Sequence, residues 1–402
     1  MSAHSHVEKE LVNPGSFHAS GRLKGVLFLC ALVGLAATAG AFFTDTLRAW
    51  PSFLINHFYF LCLGLGGLFF AAIQWLTGAM WSAPVRRVSE SFTAYLPVAV
   101  LTTVVIFIGM HDLFHWTHPE VVKGDIVLEG KAPYLNEAFF IVRNCVFLLA
   151  WLFFSHKMIG NSLAQDQDPG NYRFNLKNRV LAPIFLVVFG FGFTFTSFDQ
   201  LMSLDPHWFS TMFGVYAFAG LFYSNLAITC LLTIYLRRKG HLKEFVNENH
   251  LHDLGKFMFA FTVFWAYIGF SQFMLIWYAN LPEETGYFLR RMDDAWMGFS
   301  LVLFFGKFIL PFFWLLPRAA KRSESRLMIA GIFMLIAQWV DLAWLVQPEF
   351  FKDGPHIGWI EIGMFVGFAG VFGLTVLRFL SKNNVVAIGD PRLQESVFHH
   401  HQ

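Results

Sequence analysis

The sequence predicts an all-α integral membrane protein with ten transmembrane helices, arranged as two same-orientation four-helix bundles and two flanking helices. Three observations lead there. The chain is 56% hydrophobic and only 14% charged, whereas a soluble protein carries about a quarter charged residues. Several apolar runs exceed the ~18 residues needed to cross a bilayer. Finally, the motifs that open and close these runs occur twice.

The ten runs are 23–43, 54–78, 93–114, 135–157, 179–199, 210–236, 256–279, 295–317, 326–346 and 357–380. Inside a bilayer every backbone polar group must find a partner within the protein. β-Barrel alternation is absent, so each run is expected to be helical. The first run, Leu23 to Phe43, is too long for an ordinary signal peptide and is kept as a span, although Ala36-Ala37-Thr38-Ala39 would suit a cleavage site.

The duplication is specific. Asp199-Gln-Leu-Met-Ser-Leu-Asp-Pro206 closes run five, and Asp341-Leu-Ala-Trp-Leu-Val-Gln-Pro348 closes run nine. Asn136-Glu137-Ala138-Phe139 opens run four, and Asp293-Asp294-Ala295-Trp296 opens run eight. Gly67-Leu68-Phe69-Phe70 returns as Gly220-Leu221-Phe222-Tyr223, and Pro119-Glu120 as Pro282-Glu283. The intervals between copies drift as unequal loops would make them, so one ancestral unit is used twice. Residues 54–209 form the first unit and 210–348 the second. Residues 1–53 hold the N-terminal tail and first flanking helix; 349–402 hold the tenth helix and the tail. A unit of four spans returns the chain to its starting side, so both copies share one orientation.

Most of the 29 Lys and Arg residues fall in the N-terminus, the even-numbered loops and the C-terminal tail. The positive-inside rule then places both termini in the cytoplasm. On this reading Arg86-Arg87 belongs to an inner loop, and 157–178 is an exposed inner connector. The outer loops 115–134 and 280–294 are the longest on their side.

Cys30, Cys62, Cys145 and Cys230 all lie within apolar runs, with no Cys-x-x-Cys or Cys-x-x-Cys-His spacing. Iron–sulfur, zinc-cysteine and c-type haem attachment signatures are therefore missing from this chain, and disulfides are not expected. His111 and His115, one turn apart, could share a metal, but no further ligands complete a set. His57 and His111 are expected near the outer surface, where they do not suit a membrane haem. The histidines of the two ends (His4, His6, His399 to His401) are read as tail or interface residues.

An ionisable residue at the centre of a span costs roughly 2.5–3.5 kcal/mol on insertion scales, which makes it a functional candidate. Asp199 and Asp341 stand near helix C-termini, where the helix dipole disfavours a carboxylate. Arg143 lies about two turns into run four, beside run five. Lys307 lies about three to four turns into run eight, beside run nine. Arg143–Asp199 and Lys307–Asp341 links, direct or through water, are expected. The duplication does not equate the two bases, because position 143 corresponds to about position 300. A lysine removed from water can give up its proton, so Lys307 suits a relay as well as a structural ion pair. Tyr216, Tyr223, Ser224, Asn225, Thr229 and Thr233 in run six, with Thr262, Tyr267, Ser271, Gln272 and Tyr278 in run seven, would serve either a hydrated path or helix–helix hydrogen bonding.

Three segments carry a resemblance. Ser197-Phe-Asp-Gln-Leu-Met-Ser-Leu-Asp-Pro-His-Trp-Phe-Ser-Thr-Met-Phe-Gly-Val-Tyr216, Gly269-Phe-Ser-Gln-Phe-Met-Leu-Ile-Trp-Tyr-Ala-Asn280 and the tail motif Asp390-Pro-Arg-Leu393 resemble the ActF subunits of bacterial alternative complex III, a quinol:electron acceptor oxidoreductase. The resemblance extends over nearly the whole chain. It implies an NrfD-like fold and a location in the bacterial inner membrane. It implies no cofactor in this chain, with haem c and iron–sulfur clusters in partner subunits. Those partners would be a multihaem cytochrome c, an iron–sulfur protein, a second NrfD-like subunit, a small membrane subunit and a monohaem cytochrome c, besides lipid and no nucleic acid.

The chain is thus expected to anchor and shape a respiratory membrane complex, with proton conduction and a contribution to a quinol pocket both open. Residues expected to handle protons are Asp199, Arg143, Lys307, Asp341, His111, Asp112 and Glu137. No residue is assigned a catalytic, cofactor-binding or metal-binding role. A stand-alone secondary transporter or channel is the alternative; the same-orientation repeat and the lack of paired Gly/Pro interruptions count against it.

Overall fold

The computed structural model describes residues 12–169 and 171–399; His4, His6, His400 and His401 lie outside them. Ten helices among the described residues are long and apolar enough to cross a membrane. They are α1 Gly21–Thr44, α2 Thr46–Thr77, α3 Ala83–Ile108, α4 Glu137–Gln167, α5 Arg173–Gln200, α6 Phe213–Arg238, α7 Glu248–Ala279, α8 Asp294–Leu315, α9 Glu324–Val346 and α10 Trp359–Lys382. No β-strand forms among the described residues, and a single isolated bridge joins Ser16 to Asn384.

Local chemistry sets the helix ends. Only Asp45 separates α1 from α2, and its carboxylate accepts from the Arg48 amide as an N-cap. That cap starts α2 at Thr46 rather than at 54, so the expected 53/54 boundary falls inside a helix. Asn136 caps α4 by accepting from Phe139 N at 2.9 Å, satisfying one orphan amide of the first turn. The two duplicated closing motifs have one shape: α5 runs into a 3₁₀ turn at Met202–Leu204, and α9 into one at Gln347–Glu349. The long loops 115–134 and 280–294 are not irregular. They contain short helices at Pro119–Val122, Ile126–Lys131 and Pro282–Met292.

Helix α2 packs against α3, α5, α6, α9 and α10, and α6 packs against α2, α5, α7 and α9. These two helices are the most enclosed of the ten. α4 lies on α5 and meets α3; α8 lies against α7 and α9; α1 packs on α10 and touches α2. The repeated glycines sit at close approaches. A Cβ on Gly67 would stand 2.3 Å from the Ser89 carbonyl oxygen, and one on Gly220 would stand 2.7 Å from Gln338 Nε2. In both units the glycine lets a neighbour press against the innermost helix, which explains its recurrence.

Two expectations need correction. α3 begins at Ala83 and α4 continues to Gln167, so Arg86-Arg87 and much of the 157–178 connector are helical and partly interior. Arg87 and Glu90 are fully buried, and Arg86 nearly so. Arg86 binds Glu90 at 3.2 Å and Asp390 at 2.5 Å; Arg87 binds Glu90 and Asp166, each at 2.9 Å. Ser162 Oγ donates to Glu90 Oε1 at 2.8 Å. The Asp390-Pro-Arg-Leu393 motif therefore pins the tail under α3 and α4. Paired charge is tolerable inside a protein where isolated charge is not, so this end of the helices is sealed by ions and not left as open loop.

Candidate functional site

The conspicuous chemistry of the interior is two ion pairs, one in each sequence unit. In the first, Arg143 projects from the second turn of α4 onto Asp199 at the end of α5. Its Nε donates to Asp199 Oδ2 at 2.9 Å and its Nη2 to Oδ1 at 2.8 Å, a bidentate pair. Tyr134 Oη donates to Oδ1 at 2.9 Å. The guanidinium lies 3.8 Å from the Tyr134 ring centre and 4.2 Å from that of Phe139. Asp199 is 1% exposed. Every feature here holds a planar, permanently charged group in place.

The second pair is built differently. Lys307 Nζ donates to Asp341 Oδ2 at 2.5 Å and to Gln338 Oε1 at 2.6 Å. Tyr216 Oη donates to Asp341 Oδ1 at 2.5 Å. The ammonium lies 4.3 Å from the Trp265 ring centre and 5.2 Å from that of Tyr223. Lys307 is 0% and Asp341 1% exposed. Gln338 and Asp341 are three residues apart on α9, so one helix face presents both acceptors.

The backbone under Lys307 is unusual for a local reason. Pro311 has no N–H to give the Lys307 carbonyl, its i−4 partner. The helix widens into a π turn over Phe305–Ile309, and Leu310 N donates to the Phe305 carbonyl instead. Tyr223 Oη, from α6, donates to the Lys307 carbonyl at 3.3 Å. π turns inside α-helices frequently mark functional positions.

The two units have diverged around a shared scaffold. Tyr134 in the first unit stacks on Arg143. Tyr287 in the second stacks on Arg291, 3.5 Å from the ring centre. Arg291 does not reach Asp341. It donates to the carbonyls of Trp344, Leu345 and Tyr287 at 2.9–3.3 Å and to Glu349 Oε1 at 3.1 Å. The second carboxylate is thereby left to a lysine and a phenol.

Both expected links are therefore present as direct contacts, and both aspartates are buried within the protein. The structure does not bring His111, Asp112 and Glu137 to either pair. His111 is 56% exposed and only 3.7 Å from Glu137, and Asp112 is exposed; they occupy the open end of the α3–α4 hairpin. His57 corrects another expectation. Because α2 starts early, His57 is fully buried and hydrogen-bonds Thr102 Oγ1 through Nδ1 at 2.7 Å. Glu361 is also buried, held by Arg48 at 2.8 Å. His399 meets Asp253 at 2.8 Å. Sequence reasoning missed Tyr134, Gln338 and Arg291. For Gln338 the signal was available, one turn before Asp341; Tyr134 and Arg291 sit in segments read as loop.

Among the described residues no group of three or more His, Cys, Asp or Glu side chains is placed to hold a metal ion. In comparison with known proteins, no family model matches this chain and no curated protein matches it.

Proposed function

We propose that this chain is a membrane subunit of a respiratory quinol:electron acceptor oxidoreductase of the alternative complex III kind, and that its second unit handles protons. The observation that carries the proton role is the enclosed Lys307–Asp341–Tyr216 network. Transfer of one proton from the Lys307 ammonium to the Asp341 carboxylate leaves both groups neutral, with no net change in buried charge. Starting from the ion pair, a proton taken up by the Asp341 carboxylate from one side and one released by the Lys307 ammonium towards the other give that same neutral pair, and return of the Asp341 proton to the Lys307 amine restores the ion pair and completes a passage. The Arg143–Asp199 pair cannot work this way, because a guanidinium keeps its proton; it is a structural clamp.

The architectural part of the reading is supported by the packing. α2, α3, α4 and α5 touch in a closed ring, and so do α6, α7, α8 and α9, as two four-helix bundles of an NrfD-like subunit would. The weight of Lys and Arg on one set of loops supports cytoplasmic termini and insertion in a bacterial inner membrane. Membership of the complex rests on the three motif segments, and one of them, Asp390 to Leu393, locks the tail to α3. In this reading the redox groups sit in the haem and iron–sulfur partners.

The π turn and Pro311 in α8 favour a second reading, a stand-alone transporter or channel, because helix interruptions at a buried charge are also a transporter device. Extraction in mild detergent and pull-down of the full chain, with a visible spectrum, separates the two. Co-purifying c-type haem that quinol reduces is the expected result. A lone, colourless, intact chain would overturn the respiratory reading.

A further inference from the structure

A cleft of about 700 Å³ lies between α7 and α8, with the Pro282–Met292 helix and the end of α9 completing its wall. That is within the usual range of small-molecule sites. Its walls are mainly aromatic. Tyr267 and Phe270, at its margin, are 63% and 61% exposed, so the cleft communicates with the surface that α7 turns outward in the membrane. A lipid-soluble molecule could enter sideways.

The polar groups define what would fit. Gln272 lines the cleft, is 5% exposed, and its Nε2 has no hydrogen-bond partner. An enclosed amide donor without an acceptor is uncommon in folded proteins. Of the other polar groups along the wall, Trp265 Nε1 is a second enclosed donor without a partner, whereas Ser300, Arg291 and Tyr216 are committed. Ser300 Oγ donates to the Arg291 carbonyl and accepts from Trp344 Nε1. The Arg291 charge is matched by Glu349 and capped by carbonyls. Tyr216 Oη donates its hydrogen bond to Asp341 Oδ1. The lining thus offers neutral donors free to bind and no free cation, which suits a neutral acceptor and not a phosphate.

We propose that this cleft binds a neutral membrane-borne amphiphile, its carbonyl head accepting from Gln272 Nε2 beside Tyr216 and its apolar tail leaving between α7 and α8. Such a head would sit one side chain away from Asp341, through Tyr216. A quinone and a glyceride ester both carry this chemistry. The inference rests on the cleft and does not require the respiratory reading.

The test is calorimetric titration of the full chain, delipidated and held in nanodiscs of a single saturated phosphatidylcholine. The probes are a decyl-tailed benzoquinone and dioctanoylglycerol, with decane as the tail-only control. Saturable binding of either carbonyl probe but not decane is expected, weakened about tenfold by Gln272→Leu and abolished by Ala266→Phe, which fills the cleft. Helix content by circular dichroism checks that both variants fold. Binding of the quinone alone assigns a quinone head, and of the glyceride alone an ester head. Absence of binding by both probes, binding of decane equal to theirs, or unchanged affinity in both variants would overturn the proposal. So would crosslinking from position 270 to a neighbouring protein helix in native membranes, which would make the cleft a helix seat.

Discussion

Replacing Lys307 with methionine keeps the unbranched side chain out to Cε and removes the ammonium with its charge. Asp341 is then left 1% exposed with Tyr216 as its remaining donor. Removing one partner of a buried ion pair costs about 3–5 kcal/mol, because the other charge is left enclosed without compensation. Adding Asp341→Asn should therefore recover most of the loss. The assay is reversible unfolding in mixed micelles, followed by circular dichroism, as a double-mutant cycle. A coupling energy below about 0.5 kcal/mol, the level of independent sites, would refute the reasoning.

Other expectations follow from the same contacts. Arg143→Lys breaks the bidentate geometry with Asp199 and the stack on Tyr134. It should lower stability by roughly 2 kcal/mol in the same unfolding assay and leave proton stoichiometry unchanged. Asp390→Asn removes the carboxylate that meets Arg86 at 2.5 Å, so the segment after Lys382 should become cleavable by protease while the helices survive. In the 115–134 loop, the His207 hydrogen bond at 2.6 Å holds the Asp125 carboxyl below its ordinary range. A lowered carboxyl value stabilises the loop at neutral pH, and that contribution is lost as the pH falls through the lowered range. Amide exchange over 126–131 should therefore accelerate in acid, and His207→Ala should weaken that acid dependence, leaving the part due to the Val127 and Leu128 amides.

The ten spans were legible because apolar length is a strong signal, and Arg143–Asp199 and Lys307–Asp341 because each run held a single buried charge beside one of opposite sign. Helix ends were less legible. Hydropathy finds the apolar middle of a helix, whereas the Asp45 cap and the polar turns around Arg86, Arg87 and Asp166 lie beyond it. That cluster is also covered by residues 385–393, which fold back onto Arg86 and Asp166, a long-range contact that no local pattern discloses. His111, Asp112 and Glu137 carried the right chemistry at an exposed hairpin end. Tyr134 and Arg291 were hidden in loops whose short helices aim them inward. The π turn follows from Pro311 once Lys307 is known to be enclosed; a single proline in an apolar run does not by itself specify it.

The central claim is that the lysine pair moves protons and the arginine pair does not. The direct measurement is the number of protons released per electron by the assembled complex reconstituted in liposomes, for the natural chain, Lys307→Met and Arg143→Lys. The account predicts a reduced ratio for Lys307→Met with haem content and assembly unchanged, and an unaltered ratio for Arg143→Lys. An unaltered ratio in Lys307→Met, at normal assembly and turnover, would contradict it.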